Sequence, residues 1–510
     1  MELNWFDIAF FLAFIGCVVA LSMFKSRREK TSEDYFLASR GLGWWLIGFS
    51  IVAANISTEQ FVGMAGQAAG NVGLAVSSYQ LFSVVGIVFV AFFFLPRFLR
   101  SGIYTMPEYL EYRYNAAARV IMAVYTMVIY VAVTTTAVLY SGGLTINTIF
   151  GMSLTRSIWI IGALSALYTT WGGLKAVAWA DLFQGSALIL GGLLTLFLGL
   201  HAVGDVGDFF AENADRFHMI LPADHPEIPW TSLLAGIWIP VFYYCGLNQF
   251  IVQRTLGAKN LREGQLGVLF AAGLWLIVPF AIVIPGIIAF HLYGDQFTTS
   301  DQAYPFLIRK LVPPGLRGLM FAAICGAIMS SLASMLNSAS TIFTMDIFQR
   351  HLKKDSSQKT LVTIGRIMTV MFVVIGCLIA PQLSNPRFKG VFHYIQEFQG
   401  YISPGILAAF VFGFVIKRTP PAAGVASLLL SAPIYGFLQW HYGSVAFLNR
   451  MAITFGVIIA AMTLITVLKP LKEPKVMPVK EDFDTRPDPL VVILGVLLIL
   501  STIVFYIIFW

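Results

Sequence analysis

Ile51-Val-Ala-Ala-Asn-Ile-Ser-Thr-Glu-Gln-Phe-Val-Gly63 lies inside an apolar run from Trp44 to Gly70 that is long enough to cross a bilayer. Near its middle it places Asn55, Ser57, Thr58, Glu59 and Gln60. A lipid-facing helix does not carry five polar side chains there, one of them ionisable. Such groups need partners, a cavity or a bound ion. A second apolar segment, Gly236 to Arg254, holds Tyr243-Tyr-Cys-Gly-Leu-Asn-Gln-Phe250. Two interrupted hydrophobic segments in corresponding positions are the pattern of a transporter with its site at the bilayer midplane.

The rest of the chain is equally apolar. Its 510 residues are 58% hydrophobic and 12% charged, with mean hydropathy +0.78, whereas a soluble chain is about a quarter charged. This composition describes an all-α polytopic membrane protein whose first partner is the lipid bilayer. The net charge of +7 is spread over loops, so it fixes orientation and meets anionic head groups; it is no nucleic-acid surface. Cys17, Cys245, Cys325 and Cys377 lie in apolar stretches without metal or redox spacing and read as small buried hydrophobes.

Runs of suitable length predict about fourteen spans: 5–23, 42–70, 73–97, 117–148, 156–169, 179–201, 231–254, 265–292, 315–347, 361–381, 390–416, 421–440, 446–468 and 489–509. The first has its basic residues after it and reads as a retained span, not a cleavable signal. Lys25-Ser-Arg-Arg-Glu-Lys30, Arg97 and Arg100, Arg254 with Lys259 and Arg262, Arg350 with Lys353 and Lys354, and Lys417 with Arg418 follow odd-numbered spans. The loop between Gly204 and Trp230 carries Asp205, Asp208, Glu212, Asp215, Asp224 and Glu227 against Arg216. The positive-inside rule then puts that loop and both termini outside the plasma (inner) membrane. Glu59-Gln-Phe-Val62 echoes Asn248-Gln-Phe-Ile251, which suggests inverted five-span units over 42–201 and 231–416. Around them lie a peripheral first helix and loop (1–41), an external loop (202–230) and three peripheral helices (417–510), to which no chemistry is assigned.

The ninth span holds Ser330-Ser-Leu-Ala-Ser-Met-Leu-Asn-Ser338. Small residues pack transmembrane helices closely, and serines often bond their own backbone. The functional alternative is a sodium site, in which hydroxyls join carbonyls freed where the second span unwinds near Ala53 to Ile56. Gln60, Gln80, Ser83, Thr134 and Gln396 are uncharged hydrogen-bonding groups in or beside spans. Each could bridge helices. Together with Tyr243, Tyr244 and Trp275, whose faces suit a sugar ring, they fit a neutral polyhydroxylated solute. Asp181 reads either as a helix-start cap or as a guide for sodium release, and Glu397 as a solvated residue near an external span end. Glu59 is expected to brace the break through hydrogen bonds without touching the solute. There is no phosphate-binding loop, zinc-spaced cluster or nucleophile elbow, so the chain is not expected to be an enzyme.

Several stretches carry a resemblance: Thr31-Ser-Glu-Asp-Tyr-Phe-Leu-Ala38, Ala53 through Met64, Gly102-Ile-Tyr-Thr-Met-Pro-Glu108, Asn248 through Leu256, Ser330 through Asp346 and Tyr394 through Gly405. In order and sequence the chain resembles the solute:sodium symporter family, and within it the bacterial sodium/galactose branch. The resemblance implies the leucine-transporter-type fold with a 5+5 inverted repeat and about fourteen helices. It implies a sodium site from the carbonyls of Ala53, Ile56 and Ala327 and the hydroxyls of Ser330 and Ser331. Ala333 stands where some relatives have a second-site threonine, which implies one sodium per solute. It further implies that Gln60, Ser83 and Gln396 meet the solute and that Tyr244 closes the inner side against Asn55. Met64, Tyr79 and Phe392 would form an outer gate. Four positions depart from the family pattern: Gln80 replaces a glutamate, Thr134 and Val241 replace asparagines, and Trp275 replaces a lysine. The expected activity is sodium-driven import of a hexose or related cyclic polyol by alternating access; the alternative is symport of a non-sugar organic solute.

Overall fold

The protein is described by a computed structural model that covers residues 5–26, 37–171, 174–313, 316–475, 477 and 488–510. Arg27, Arg28 and Lys30 of the first basic loop, and Thr31 to Phe36 of the first matching stretch, lie outside the described residues. Among these residues the chain is helical, with two isolated β-bridges, Leu42 to Ala258 and Leu221 to Pro229.

Among the described residues nine helices are long and apolar enough to cross a membrane, and two bent pairs add two more candidate spans. The remaining expected spans, 5–23, 42–70 and 156–169, overlap Trp5–Ser26, Trp44–Asn55 and Leu154–Trp171. Exposure separates the inner elements from the outer ones. The apolar window of Gly73–Phe93 is 83% buried and that of Leu316–Leu352 is 78% buried. Those of Pro421–His441, Phe447–Leu468 and Pro489–Ile508 fall to 33%, 28% and 22%, so the rest of the chain leaves most of their surface uncovered.

The second span breaks where its polar residues fall. Trp44–Asn55 is α-helical, Ile56 leaves helical geometry (φ −81°, ψ 89°), and the chain re-enters a π-helical turn, Gln60–Met64, before Ala65–Ala69. The seventh span bends by 44° between Ser232–Gly246 and Gln249–Leu256. Each member of the echoed tetrad thus starts just after a break, Glu59 before Gln60–Met64 and Asn248 before Gln249–Leu256. The Leu42 to Ala258 bridge ties the start of one broken span to the end of the other. A third break, of 45°, separates Val391–Gln399 from Ser403–Val415. The sixth span comes close to the first break because position 185 is glycine. A Cβ there would sit 3.2 Å from the Ala53 Cβ and 3.4 Å from the Phe49 carbonyl oxygen.

The acidic loop over 202–230 and the last span share one end of the molecule: Met219 N–H donates to the Phe509 carbonyl at 2.9 Å, and His218 Nδ1 lies 2.9 Å from the Trp510 carbonyl. Three expectations about burial need correction. Arg254, read as a loop charge, is fully buried within Gln249–Leu256, because its guanidinium has five protein acceptors there. Glu397, read as solvated, is buried and paired with Arg450 of the thirteenth span at 2.7 Å. That span, expected to carry no chemistry, becomes through Arg450 a clamp on the helix that carries Gln396. Cys17, read as buried with the other cysteines, is exposed on the peripheral helix Trp5–Ser26, where lipid is an adequate partner for a small apolar side chain.

Candidate functional site

One cavity, with about 650 Å³ of atom-free space, lies against the second-span break. The π-helical turn presents Gln60 and Met64 to it, preceded by Glu59, and Asn55 ends the helix below. Gly73–Phe93 supplies Tyr79, Gln80 and Ser83, and the π-helical Ile129–Thr135 supplies Thr134. Tyr244 comes from the seventh span; Phe392, Gln396 and Gln399 come from Val391–Gln399. Gln399 was missed in the sequence. Its spacing of three from Gln396, one helical turn on the same face, was the signal that could have found it.

The cavity is closed from two sides. Tyr244 Oη accepts from Asn55 Nδ2 at 2.8 Å. Opposite, the Tyr79 and Phe392 rings meet edge to face with centroids 5.0 Å apart. Glycine at position 63 permits this, since a Cβ there would lie 2.8 Å from the Phe392 Cβ. Asn55 is also wired to the cavity wall: Gln60 Nε2 donates to its carbonyl at 2.8 Å and to Oδ1 at 3.1 Å, and Gln80 Nε2 donates to Oδ1 at 3.1 Å. A solute that draws either amide away therefore changes the hydrogen bonding of Asn55.

Not every expected residue joins this cavity. Trp275 and Tyr243 are fully buried and do not line it. Thr134 lines it, but its hydroxyl donates to the carbonyls of Tyr130 at 3.1 Å and Ile129 at 3.3 Å, the self-capping habit of helical threonines. Glu59, expected to brace the break without facing the solute, instead lines the cavity, and its Oε2 is buried without a hydrogen-bond partner. Gln60 Oε1, Gln396 Oε1 and Tyr79 Oη are in the same condition. Among the described residues no Lys, Arg or His lines the cavity.

Of the expected sodium ligands, Ala53 and Ile56 lie at the end of the broken helix, and Ala327, Ser330 and Ser331 lie on Leu316–Ile342. Trp44–Asn55 ends with carbonyls that have no further helical turn to bond. Ser331 Oγ stands 3.5 Å from the Ala53 carbonyl, and Ala327, Ser330 and Ser331 are fully buried on Leu316–Ile342. Carbonyls and hydroxyls of this kind would make a neutral all-oxygen donor set, which suits a hard monovalent cation. Ser330 Oγ donates to Asp181 Oδ1, which leaves its lone pairs free. Asp181 also accepts from Ser50 Oγ at 2.5 Å and pairs with Arg254 Nη2 at 3.1 Å. It lies inside Leu174–Val203 with no exposure, so the reading as a helix-start cap is replaced by that of a buried ion-pair partner.

Residues 35–430 match the sodium:solute symporter family. The sodium/glucose cotransporter of Vibrio parahaemolyticus is 38% identical across all of this chain and 99% of its own length. The human sodium/myo-inositol cotransporter 2 is 34% identical over 81% of this chain and 66% of its own length. Among solved structures, a substrate-bound, outward-open sodium-coupled sialic acid symporter superposes with TM-score 0.82 over 92% of this chain and 99% of that one, at 22% identity. That likeness shows the leucine-transporter-type fold. With a family match over most of its length and a bacterial relative aligned end to end, this chain belongs to the sodium:solute symporter family and is a sodium-coupled carrier, not an enzyme.

Proposed function

We propose that the chain imports a neutral, polyhydroxylated ring, a hexose or cyclic polyol, with one sodium ion per solute. The observation that carries this reading is the set of buried acceptors around one cavity: Glu59 Oε2, Gln60 Oε1 and Gln396 Oε1 all await donors. Buried acceptors without partners are costly, and a solute rich in hydroxyls satisfies them. With no cationic side chain in the lining, an anionic solute would go unpaired. The sugar and inositol substrates named for its relatives agree with this chemistry.

In this reading sodium enters first from outside and bridges Ala53 and Ile56 of the second span to Ala327, Ser330 and Ser331 of the ninth. That bridge orders Asn55 to Gln60 for the solute, which Gln60, Gln80, Ser83 and Gln396 hold. Met64, Tyr79 and Phe392 form the outer gate, Tyr244 with Asn55 the inner one. The two five-span units, over 42–201 and 231–416, rock against each other in the inner membrane with both termini outside. Sodium then leaves past Asp181, and its loss weakens the solute site. At −100 mV one inward charge supplies about 2.3 kcal/mol before the concentration gradient is counted.

Uptake of radiolabelled solutes into proteoliposomes tests this. An inward sodium gradient should drive accumulation of a hexose or inositol above equilibrium, and a potassium gradient should not. Accumulation confined to carboxylates or amines would overturn the polyol assignment, and mere equilibration would mark a channel.

A further inference from the structure

Among the described residues Glu59 is the one carboxyl group in the cavity wall, and neither the proposed sodium ligands nor the proposed gates use it. It stands at the break, immediately before the π-helical turn that carries Gln60. Its backbone N–H reaches Ser57 Oγ at 3.4 Å, so the main chain is anchored locally. Its Oε2 is sealed off with no hydrogen-bond partner. Among the described residues no ion pair includes Glu59. A residue whose task is to brace the break would have both carboxylate oxygens bonded to the chain, as Asp181 and Glu397 do. An acceptor left empty on a cavity wall is instead matched by a donor on the molecule that fills the cavity.

We propose that Glu59 is a specificity-determining residue of the solute site, its free carboxylate oxygen accepting a hydrogen bond from one particular hydroxyl of the bound ring. This rests on the polyol reading of the cavity. The carrier then discriminates against an analogue that lacks that hydroxyl, because both the carboxylate and its desolvation would go uncompensated. Gln60 and Gln396 present amide oxygens to the same cavity, so Glu59 is one of three carboxyl or amide side chains there with a buried open acceptor.

The test is sodium-driven uptake by wild type, E59Q and E59D across a panel of the transported polyol and its monodeoxy analogues. In the wild type one analogue should show a KM raised roughly tenfold or more. E59Q keeps an oxygen acceptor, so the KM for the parent should rise by a smaller factor and the gap to that one analogue should narrow. Penalties for the other analogues should persist. E59D keeps the charge but withdraws it by one methylene, so it should raise the parent KM while preserving the ranking. Sodium-induced thermal stabilisation without solute should be unchanged in both variants, whereas loss of a brace at the break would shift it. If the selectivity gap in E59Q is as wide as in the wild type, or if every solute loses rate equally, the proposal is overturned. A wild type that accumulates no polyol overturns the polyol reading as well, so the two failures are told apart.

Discussion

Ser330 and Ser331 are neighbours on the ninth span, yet their hydroxyls point to different tasks: Ser330 donates to Asp181, and Ser331 faces the freed Ala53 carbonyl at 3.5 Å. We expect Ser331→Ala to abolish sodium-driven uptake while the protein stays folded; full sodium-dependent uptake by that variant would remove Ser331 from the ion site. Below the two serines, Arg254 holds the Ser50 carbonyl and hydroxyl, the Phe250 carbonyl, Asp181 and Ser334, all without solvent. Removing one side of a buried pair strands the other, which costs about 3–5 kcal/mol. Arg254→Met should therefore lower the unfolding midpoint sharply, and adding Asp181→Asn should recover part of that loss. A double variant as unstable as the sum of the two singles would show that the pair is not coupled. Arg254 also marks a limit of sequence reading. An arginine at the end of an apolar run looks like a loop charge, and nothing in one sequence tells which carboxylate, 73 residues away, it meets. Trp275 failed for the opposite reason: a position inferred from relatives carries no guarantee that a substituted side chain still faces the cavity.

Elements were more legible than side chains. Twenty-residue apolar runs leave few alternatives, and the expected spans all overlap helices. The break in the second span was legible because its polar residues were too many for lipid. The π-helical turns at Ile129–Thr135 and Pro279–Val283 were not, since one inserted residue leaves no compositional trace. Nor was the short turn Ser300–Gln302, which matters for the helix bearing Phe392 and Gln396. Its Asp301 is buried and accepts from the Val391 N–H at 3.1 Å. Burial pushes this carboxyl up from 3.8 to about 7. Its ionised form therefore destabilises the native state. As pH falls from about 7 toward 3.8, the folded protein takes up a proton that the unfolded chain does not, and stability gains. The unfolding midpoint of the wild type should thus rise relative to Asp301→Asn between pH 8 and pH 5.5 (roughly the upper half of that window). Parallel pH profiles for the two proteins would mean that Asp301 does not titrate there.

For the molecule as a whole, the notable condition is that both closures are made at once: Tyr79 against Phe392 on one side, Tyr244 against Asn55 on the other. A carrier that alternates must break these in turn, and the proposed inner closure includes one neutral hydrogen bond of 2.8 Å. Such a bond contributes about 1 kcal/mol net, so deleting it should shift the closed-to-open ratio about fivefold. The chain carries its own reporter. Cys245 follows Tyr244 directly and is buried, and its thiol reaches the Ser83 carbonyl at 3.8 Å. With Cys17, Cys325 and Cys377 replaced by alanine, maleimide should label Cys245 only when the inner side opens. Tyr244→Phe should raise the sodium-free labelling rate about fivefold, and saturating sodium should slow it again by favouring the outward-open state. Equal labelling rates with and without the Tyr244→Phe substitution would place the inner closure elsewhere, in the packing of the broken seventh span and not in the Asn55 bond.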